Sequence, residues 1–345
     1  MSTTESRQTL TPLPLMQLTT GFWASKTLFA AHELDLFALL ERRGGGTAEQ
    51  VAADLKIAER PAEMLLTACA SLGLLDKRRR RYENSPIAAK YLVPGKPDYF
   101  GDFIAFNDKR VYDSYRDLTG AVRSNRPVGW DPAAQRSFFD SADPLITRHF
   151  YEAMHSLSTP TGQALASVPG IHTRSRLLDV GGGSGAVAIE LCRALPDLTA
   201  TVCDLPHVIE FAARKVAEAG LADRITTAEC DLFAPGPYPT GHDVALLSLI
   251  LHSFTPEQGK QILAKTFACL PSGGLLLISE LMVNDDKTGP PPAALMSLTM
   301  LVEDEGRSYT AAEYEEWLGD TGFQQARRVT LDVPGANGLI TAEKP

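Results

Sequence analysis

Arg176-Leu-Leu-Asp-Val-Gly-Gly-Gly-Ser-Gly-Ala186 is the stretch that decides how the C-terminal half of this 345-residue chain folds. A short apolar run of strand character leads directly into a glycine cluster, and a helical pattern over Ala186 to Leu195 follows at once. Strand, glycine-rich turn and helix in that order bring free backbone N–H groups and a helix N-terminus to one point, which suits a polar or anionic ligand. Gly181, Gly183 and Ala186 satisfy G-x-G-x-x-A. On its own the turn therefore admits a nicotinamide dinucleotide, an adenosyl compound, or a loop that is merely tight.

Working outward, the chain repeats the strand–helix alternation. Strands are predicted at Leu198 to Cys203, Ile225 to Glu229, Val244 to Ser248 and Leu275 to Ser279, with helices at Val208 to Ala219 and Pro256 to Leu270. A helix at Glu313 to Thr321 and strands at Gln325 to Asp332 and Leu339 to Ala342 close the series. Such alternation predicts a doubly wound parallel sheet, whose ligand lies beyond the carboxyl ends of the strands. Asp204 ends the second strand about 20 residues past the glycines, where a carboxylate accepts ribose hydroxyls. Asp231, beside Leu232 and Phe233, ends the third; an acid with an apolar neighbour there suits an adenine amino group and ring face. Ser248 ends the fourth. His252 follows it, and an imidazole with an ordinary pKa of ~6.5 suits removal of a hydroxyl proton.

Upstream the pattern is helical. Leu15 to Leu40 holds apolar residues at helical spacing until Gly44-Gly45-Gly46 stops it, since each glycine costs a helix roughly 1 kcal/mol. It carries more apolar residues, among them Phe22, Trp23, Phe29 and Phe37, than one face of a small domain buries, which points to a homodimer. Thr47 is placed to cap Ala48 to Leu55. Arg60 to Leu75 reads as a helix with Leu65, Leu66, Cys69, Leu72 and Leu75 inward. Asp76 to Tyr82 with Asn84-Ser85-Pro86 reads as a hairpin, and helix, turn, helix, hairpin is the order of a winged helix. Residues 87–168 are helical again, interrupted around Pro127 to Trp130. The division is therefore 1–168, helical with a winged helix, and 169–345, the sheet domain.

A hydrophobic share of 44% with 22% charged residues excludes a mainly disordered chain. No apolar run reaches the ~18 residues of a membrane span. The first residues, Met1-Ser-Thr-Thr-Glu-Ser-Arg7, lack the apolar core of a signal peptide. The five cysteines (Cys69, Cys192, Cys203, Cys230, Cys269) are scattered in apolar context, as small core residues of a reducing, cytoplasmic compartment are. The dispersed histidines give no metal site. A net charge of −9 argues against nucleic acid as a partner, although Lys77-Arg78-Arg79-Arg80-Arg81 sits on the wing. That run reads as a solvated hairpin on a domain used for dimer packing.

Asp-Val-Gly-Gly-Gly-Ser-Gly, Cys-Asp-Leu-Pro, Cys-Asp-Leu-Phe, Leu-His-Ser-Phe and Pro-Ser-Gly-Gly, in that order, resemble the S-adenosylmethionine-dependent O-methyltransferases. Most similar is the plant and bacterial natural-product group with an N-terminal dimerisation domain, to which acetylserotonin O-methyltransferase belongs. The resemblance spans nearly the whole chain. It implies a Rossmann-like methyltransferase domain, S-adenosyl-L-methionine as cofactor, and methylation of a hydroxyl on a small, aromatic secondary metabolite. It places Gly181 and Gly183 on the methionine moiety, Asp204 on the ribose, Asp231 and Leu232 on the adenine, and Ser248 near the sulfonium. It makes His252 the general base and Glu280 the acid that orients it. Two departures stand out. Many members have His-Asp-Trp where this chain has His252-Ser253-Phe254, and a second family glutamate falls on Ser308. Glu303 or Glu305 is the expected substitute. The lost acids leave room for a carbon or nitrogen methyltransferase or a member that binds the cofactor without transfer; the winged helix leaves room for a ligand-responsive regulator. Phe103, Phe106, Phe150, Met154, Met296 and Met300 are candidates for the acceptor pocket.

Overall fold

In a computed structural model the protein is described over residues 10–130, 139 and 144–345. The leader reading made on the first residues, and the parts of the expected helical stretch at 131–138 and 140–143, lie outside the described residues. The chain divides into two compact units at Asp108/Lys109.

The first unit is helical. Its opening segment is two helices rather than one: Leu13–Glu33 and Leu36–Arg43 are separated at Asp35, whose backbone turns left-handed at φ 53°. That kink lets Leu36, Phe37, Leu39 and Leu40 enter the core, while Leu15, Met16, Leu18, Phe22 and Trp23 stay exposed on the longer helix. Thr47 caps Ala48–Leu55 in a reciprocal capping box with Gln50. The next helix, Glu59–Ser71, is shorter than expected. It buries Ala62, Leu66 and Cys69, but Leu72 lies exposed beyond its end and Leu75 is buried in strand β1 instead. The reason is Gly73, which takes φ 74° and turns the chain into the hairpin. Strands β1 (Leu75–Arg78) and β2 (Arg81–Asn84) pair antiparallel, and Gly46 bridges Tyr82 across to them.

The second unit holds the sheet. Its strands are β3 (Arg176–Val180), β4 (Thr199–Asp204), β5 (Ile225–Glu229), β6 (Val244–Ser248), β7 (Leu275–Glu280), β8 (Gln324–Val333) and β9 (Ala336–Glu343). They lie in the order β5-β4-β3-β6-β7-β9-β8. β3 to β7 are parallel, with strand order reversing between β3 and β6, the place where doubly wound sheets open a crevice. The sheet is not parallel throughout, because β8 and β9 join through a tight turn at Pro334-Gly335. A two-residue link cannot make a parallel crossover, so β9 runs antiparallel to both its neighbours. β6 and β7 read as continuous apolar runs because both their faces are covered. One core layer contains Leu177, Val187, Leu191, Leu246 and Leu277, and the other Leu178, Leu247, Ile278 and Trp317.

The sequence boundary at 168/169 marks the approach to the first strand, whereas the unit that carries the sheet starts at Lys109. The helix Pro144–Leu165 belongs to the sheet's unit because it packs on the helix after the glycine turn, Ala186–Ala194. Gln163 donates to Glu190 at 3.0 Å, and His155 Nδ1 lies 2.9 Å from Ser184 Oγ.

Candidate active site

Asp204, Ser248 and Glu280 end β4, β6 and β7, and Gly181, Gly183 and Asp231 follow β3 and β5, so these residues lie at the carboxyl ends of the parallel strands. Gly181 and Gly183 follow β3 with φ of 66° and 56°, a region side chains avoid. A Cβ on Gly181 would sit 2.6 Å from Ile250 Cδ1, whereas one on Gly183 would meet nothing within 4 Å. The turn is thus closed on the protein side at Gly181 and open at Gly183. Asp204 holds it in shape: its carboxylate accepts from the Gly183 N–H at 2.8 Å and from the Leu205 N–H at 2.7 Å.

Asp179, the residue before Val180, is buried, and one of its carboxylate oxygens has no hydrogen-bond partner. Burial, then the nearby charge of Asp204, pushes its pKa up to about 7. Burial also raises Asp204, against the two backbone N–H groups that favour its ionised form. Ser248 Oγ, at the end of β6, is a second buried polar atom without a partner. After β5, Asp231 accepts from the Phe233 N–H at 2.8 Å, and Lys265 ties down the same loop through the carbonyls of Leu232 and Ala234 at 3.0 and 2.8 Å. The Phe233 ring meets Phe254 edge-on at 5.1 Å. An open glycine turn, orphaned polar atoms and an acid ending each of β4 and β5 fit an adenosyl ligand with a polar, amino-acid-like tail.

His252 lies on a short turn, Leu251–Ser253, entered through Leu249 with a left-handed φ of 56°. Such a conformation in a leucine is held by its surroundings, here a bond from the Leu249 N–H to the Ser279 carbonyl at 3.0 Å. Glu280, fully buried at the end of β7, organises the turn. Its Oε1 accepts from the backbone N–H groups of Ile250, Leu251 and His252 at 3.0, 2.9 and 3.4 Å. Its Oε2 lies 2.5 Å from His252 Nδ1. With Nδ1–H donating to Glu280, Nε2 is the ring nitrogen left to accept a proton. Burial by itself would depress the His252 pKa, but the charge and hydrogen bond of Glu280, with the charge of Asp304, raise it overall.

The acids after the helix Pro291–Glu303 are arranged differently from expectation. Glu303 is held by Arg110 at 2.8 Å, and Glu305 is exposed. Asp304 between them is half-buried, its charge contributes to raising the His252 pKa, and the Ser253 hydroxyl donates instead to Met300 Sδ at 3.8 Å. Ser308 Oγ, at the family-glutamate position, has no partner. The sequence offered little to single out Lys265 or Arg110, because each acts from a helical segment far along the chain from the residues it holds. Of the pocket candidates, Phe106 and Met300 are buried and Phe150, Met154 and Met296 half-buried.

Residues 115–324 match the O-methyltransferase domain, and residues 16–94 match the O-methyltransferase dimerisation domain. The chain belongs to the S-adenosylmethionine-dependent O-methyltransferase family. It is 46% identical over 333 residues to a 3-hydroxy-5-methyl-1-naphthoate 3-O-methyltransferase of Streptomyces sahachiroi, covering 96% of this chain and 95% of that one. An L-tyrosine C(3)-methyltransferase of Streptomyces lavendulae is 34% identical, over 94% and 90% of the two chains. Among solved structures, human N-acetylserotonin methyltransferase in complex with SAM superposes with a TM-score of 0.85 at 26% identity, covering 98% of this chain and 99% of that one. This O-methyltransferase thus has a helical dimerisation domain before an α/β catalytic domain and uses S-adenosylmethionine. No helix among the described residues is long and apolar enough to cross a membrane.

Proposed function

We propose that this O-methyltransferase methylates the ring hydroxyl of a small aromatic acid of the hydroxynaphthoate kind, as a cytoplasmic homodimer, with His252 as general base. The observation that carries the base assignment is the 2.5 Å contact of His252 Nδ1 with buried Glu280, which leaves Nε2 to receive a proton. The acceptor class rests on the relative with 46% identity over 96% of the chain. The Gly46–Tyr82 bridge beside the β1–β2 hairpin supports a winged helix in the dimerisation domain. Its basic run is exposed but engaged within the chain at three positions: Lys77 lies over the Tyr82 ring, Arg80 binds Glu49, and Arg81 donates to the Gly44 and Gly45 carbonyls. That supports dimer packing over nucleic-acid binding.

In this reading Gly181 and Gly183 receive the methionine moiety, Asp204 the ribose, Asp231 and Leu232 the adenine, and Ser248 the sulfonium end. Bound S-adenosylmethionine supplies a methyl group on a sulfonium, so transfer is an in-line displacement. The acceptor oxygen bonds to the methyl carbon as the carbon–sulfur bond breaks and the electron pair stays on sulfur. His252 Nε2 takes the hydroxyl proton, and Glu280 holds the resulting imidazolium in place. The test is incubation with S-adenosylmethionine and a panel of hydroxynaphthoic acids, with mass spectrometry and NMR of the products. A methyl ether is expected, and His252→Ala should lower its formation by ~10²–10⁴-fold. A ring-carbon methyl product would replace this reading with carbon methylation, as in the tyrosine relative. Full activity of His252→Ala would remove the base.

A further inference from the structure

The run Gly181-Gly-Gly-Ser-Gly185 contains a single side chain, that of Ser184, which is therefore the one handle by which another element can hold the turn through a side-chain contact. Gly181, Gly183 and Gly185 stand at φ of 66°, 56° and 72°, and glycines give up more conformational freedom than other residues when a turn is fixed. From β4 the turn is pinned by its backbone: the Gly181 N–H donates to the Cys203 carbonyl and the Gly183 N–H to Asp204, both at 2.8 Å. From outside the sheet, His155 of the helix Pro144–Leu165 reaches Ser184. Its Nδ1 lies 2.9 Å from an Oγ that belongs to a residue only 3% exposed. The helix is fastened on both sides of His155. One turn before it, Lys215 of the helix Pro206–Glu218 donates to Glu152 at 2.7 Å, and the Tyr151 ring packs on Phe211 at 5.9 Å. Two turns beyond it, Gly162 lets the helix lie directly against Val187 and Glu190; a Cβ there would come 2.7 Å from Glu190 Cβ.

We propose that His155 is a positioning residue of the cofactor site, which fixes the Ser184 hydroxyl and with it the glycine turn in the shape that receives the amino-acid tail of S-adenosylmethionine. The proposal rests on the reading that Gly181 and Gly183 hold the methionine moiety. A serine hydroxyl rotates to suit its partner, and a bond to the ring selects one orientation. The cost of ordering the turn is then met in the free protein and is not taken from ligand binding. Burial, then the Lys215 charge, push the His155 pKa down to about 4, so at neutral pH the ring carries one N–H and one lone pair and adds no charge beside the ligand. An asparagine amide can place a polar atom near the position of Nδ1, and an alanine cannot. Ordering the turn favours the bound cofactor before and during transfer alike, so the effect of His155 belongs in cofactor affinity and not in the rate of the chemical step.

Calorimetry of S-adenosylhomocysteine binding to the full chain tests this without an acceptor. His155→Ala should weaken binding by roughly tenfold, and His155→Asn should recover most of the loss. With an accepted hydroxynaphthoate, the KM for S-adenosylmethionine should rise in step in His155→Ala while kcat stays within about twofold of the parent. If the imidazole acts through Ser184, His155→Ala should weaken binding no further once Ser184→Ala is present. Parental binding in His155→Ala, or additive losses in the double variant, overturns the proposal. Should His155→Ala fail to fold, the unaltered chain decides: its His155 ring nitrogen signals in NMR should shift on saturation with S-adenosylhomocysteine, and unshifted signals overturn the proposal equally. Loss of binding in Asp204→Ala beside parental binding in His155→Ala strikes this proposal alone, whereas parental binding in both removes the turn from the cofactor site.

Discussion

Asp179 shows how the cofactor edge is tuned at the scale of single residues. It is buried beside Asp204 with one oxygen unpartnered, and its pKa stands at about 7 against an unfolded value of ~3.9. A raised native pKa means the folded chain binds the extra proton between these limits. Its stabilising effect is whole below about pH 4 and is lost as pH rises through 7. Asp179→Asn removes the titration, so the ligand-free variant should melt above its parent at pH 8, above it by clearly less at pH 5, and level with it only below about pH 4. Urea melts at the two pH values check this; a difference of equal size at both would exclude Asp179 as the source. Residues of this kind differ in how visible they are in sequence. His252 and Glu280 are legible because one lies four residues past β6 and the other ends β7, strands whose ends are fixed by apolar runs. Glu303 is not legible in this way, because its partner Arg110 lies 193 residues away and only packing brings the two together.

At the scale of elements, local chemistry predicts starts better than ends. The strands β3 and β6 fall where apolar runs place them, because both faces of the central sheet demand it, and the edge strand β5 falls where the strand–helix alternation places it. The break at Asp35 was not legible, since propensity favours continuing the helix and only the need to turn Leu36 inward overrides it, whereas the early stop before Gly73 could have been read from the glycine itself. The antiparallel edge formed by β8 and β9 is likewise a consequence of a short turn between two strands, outside the strand–helix rhythm. The most exposed test at this scale is Gly306. Any side chain there enters the space of the His252 carbonyl at 2.1 Å, and backbone atoms cannot step aside as a flexible side-chain tip does. Gly306→Ala should therefore separate the acid-bearing segment from the His252 turn. It should destabilise the chain by ~1–3 kcal/mol and lower turnover more than it weakens S-adenosylhomocysteine binding. Calorimetry beside steady-state kinetics measures both, and an alanine variant with parental melting and turnover would show that the two segments are not in register as described.

For the whole molecule the decisive feature is the helix Leu13–Glu33. Its sequence is apolar on more than one face, and the structure uses only part of that surface within its own unit. Phe29 and Ala31 are buried, while Leu15, Leu18, Phe22 and Trp23 remain 66, 80, 51 and 63% exposed. Isolated exposed apolar residues are ordinary on protein surfaces, but a clustered set with two aromatic rings on one helix marks an interaction surface. The helix begins the stretch matched by the dimerisation domain of the family, residues 16–94, so a second copy of the chain is the expected cover. At roughly 25 cal/mol per Å², covering two or three such side chains on each copy contributes several kcal/mol toward association, with the rest of the interface meeting its entropic cost. Light scattering of the purified chain at micromolar concentration should give twice its mass of 37.3 kDa. The double variant Leu18→Glu with Trp23→Glu places charges on that face and should shift the mass toward a single chain without changing the circular dichroism of the sheet. The double variant also separates this surface from others: a dimer that survives both charges must form through a different face. A monomeric parent would show that the apolar helix is covered in some other way.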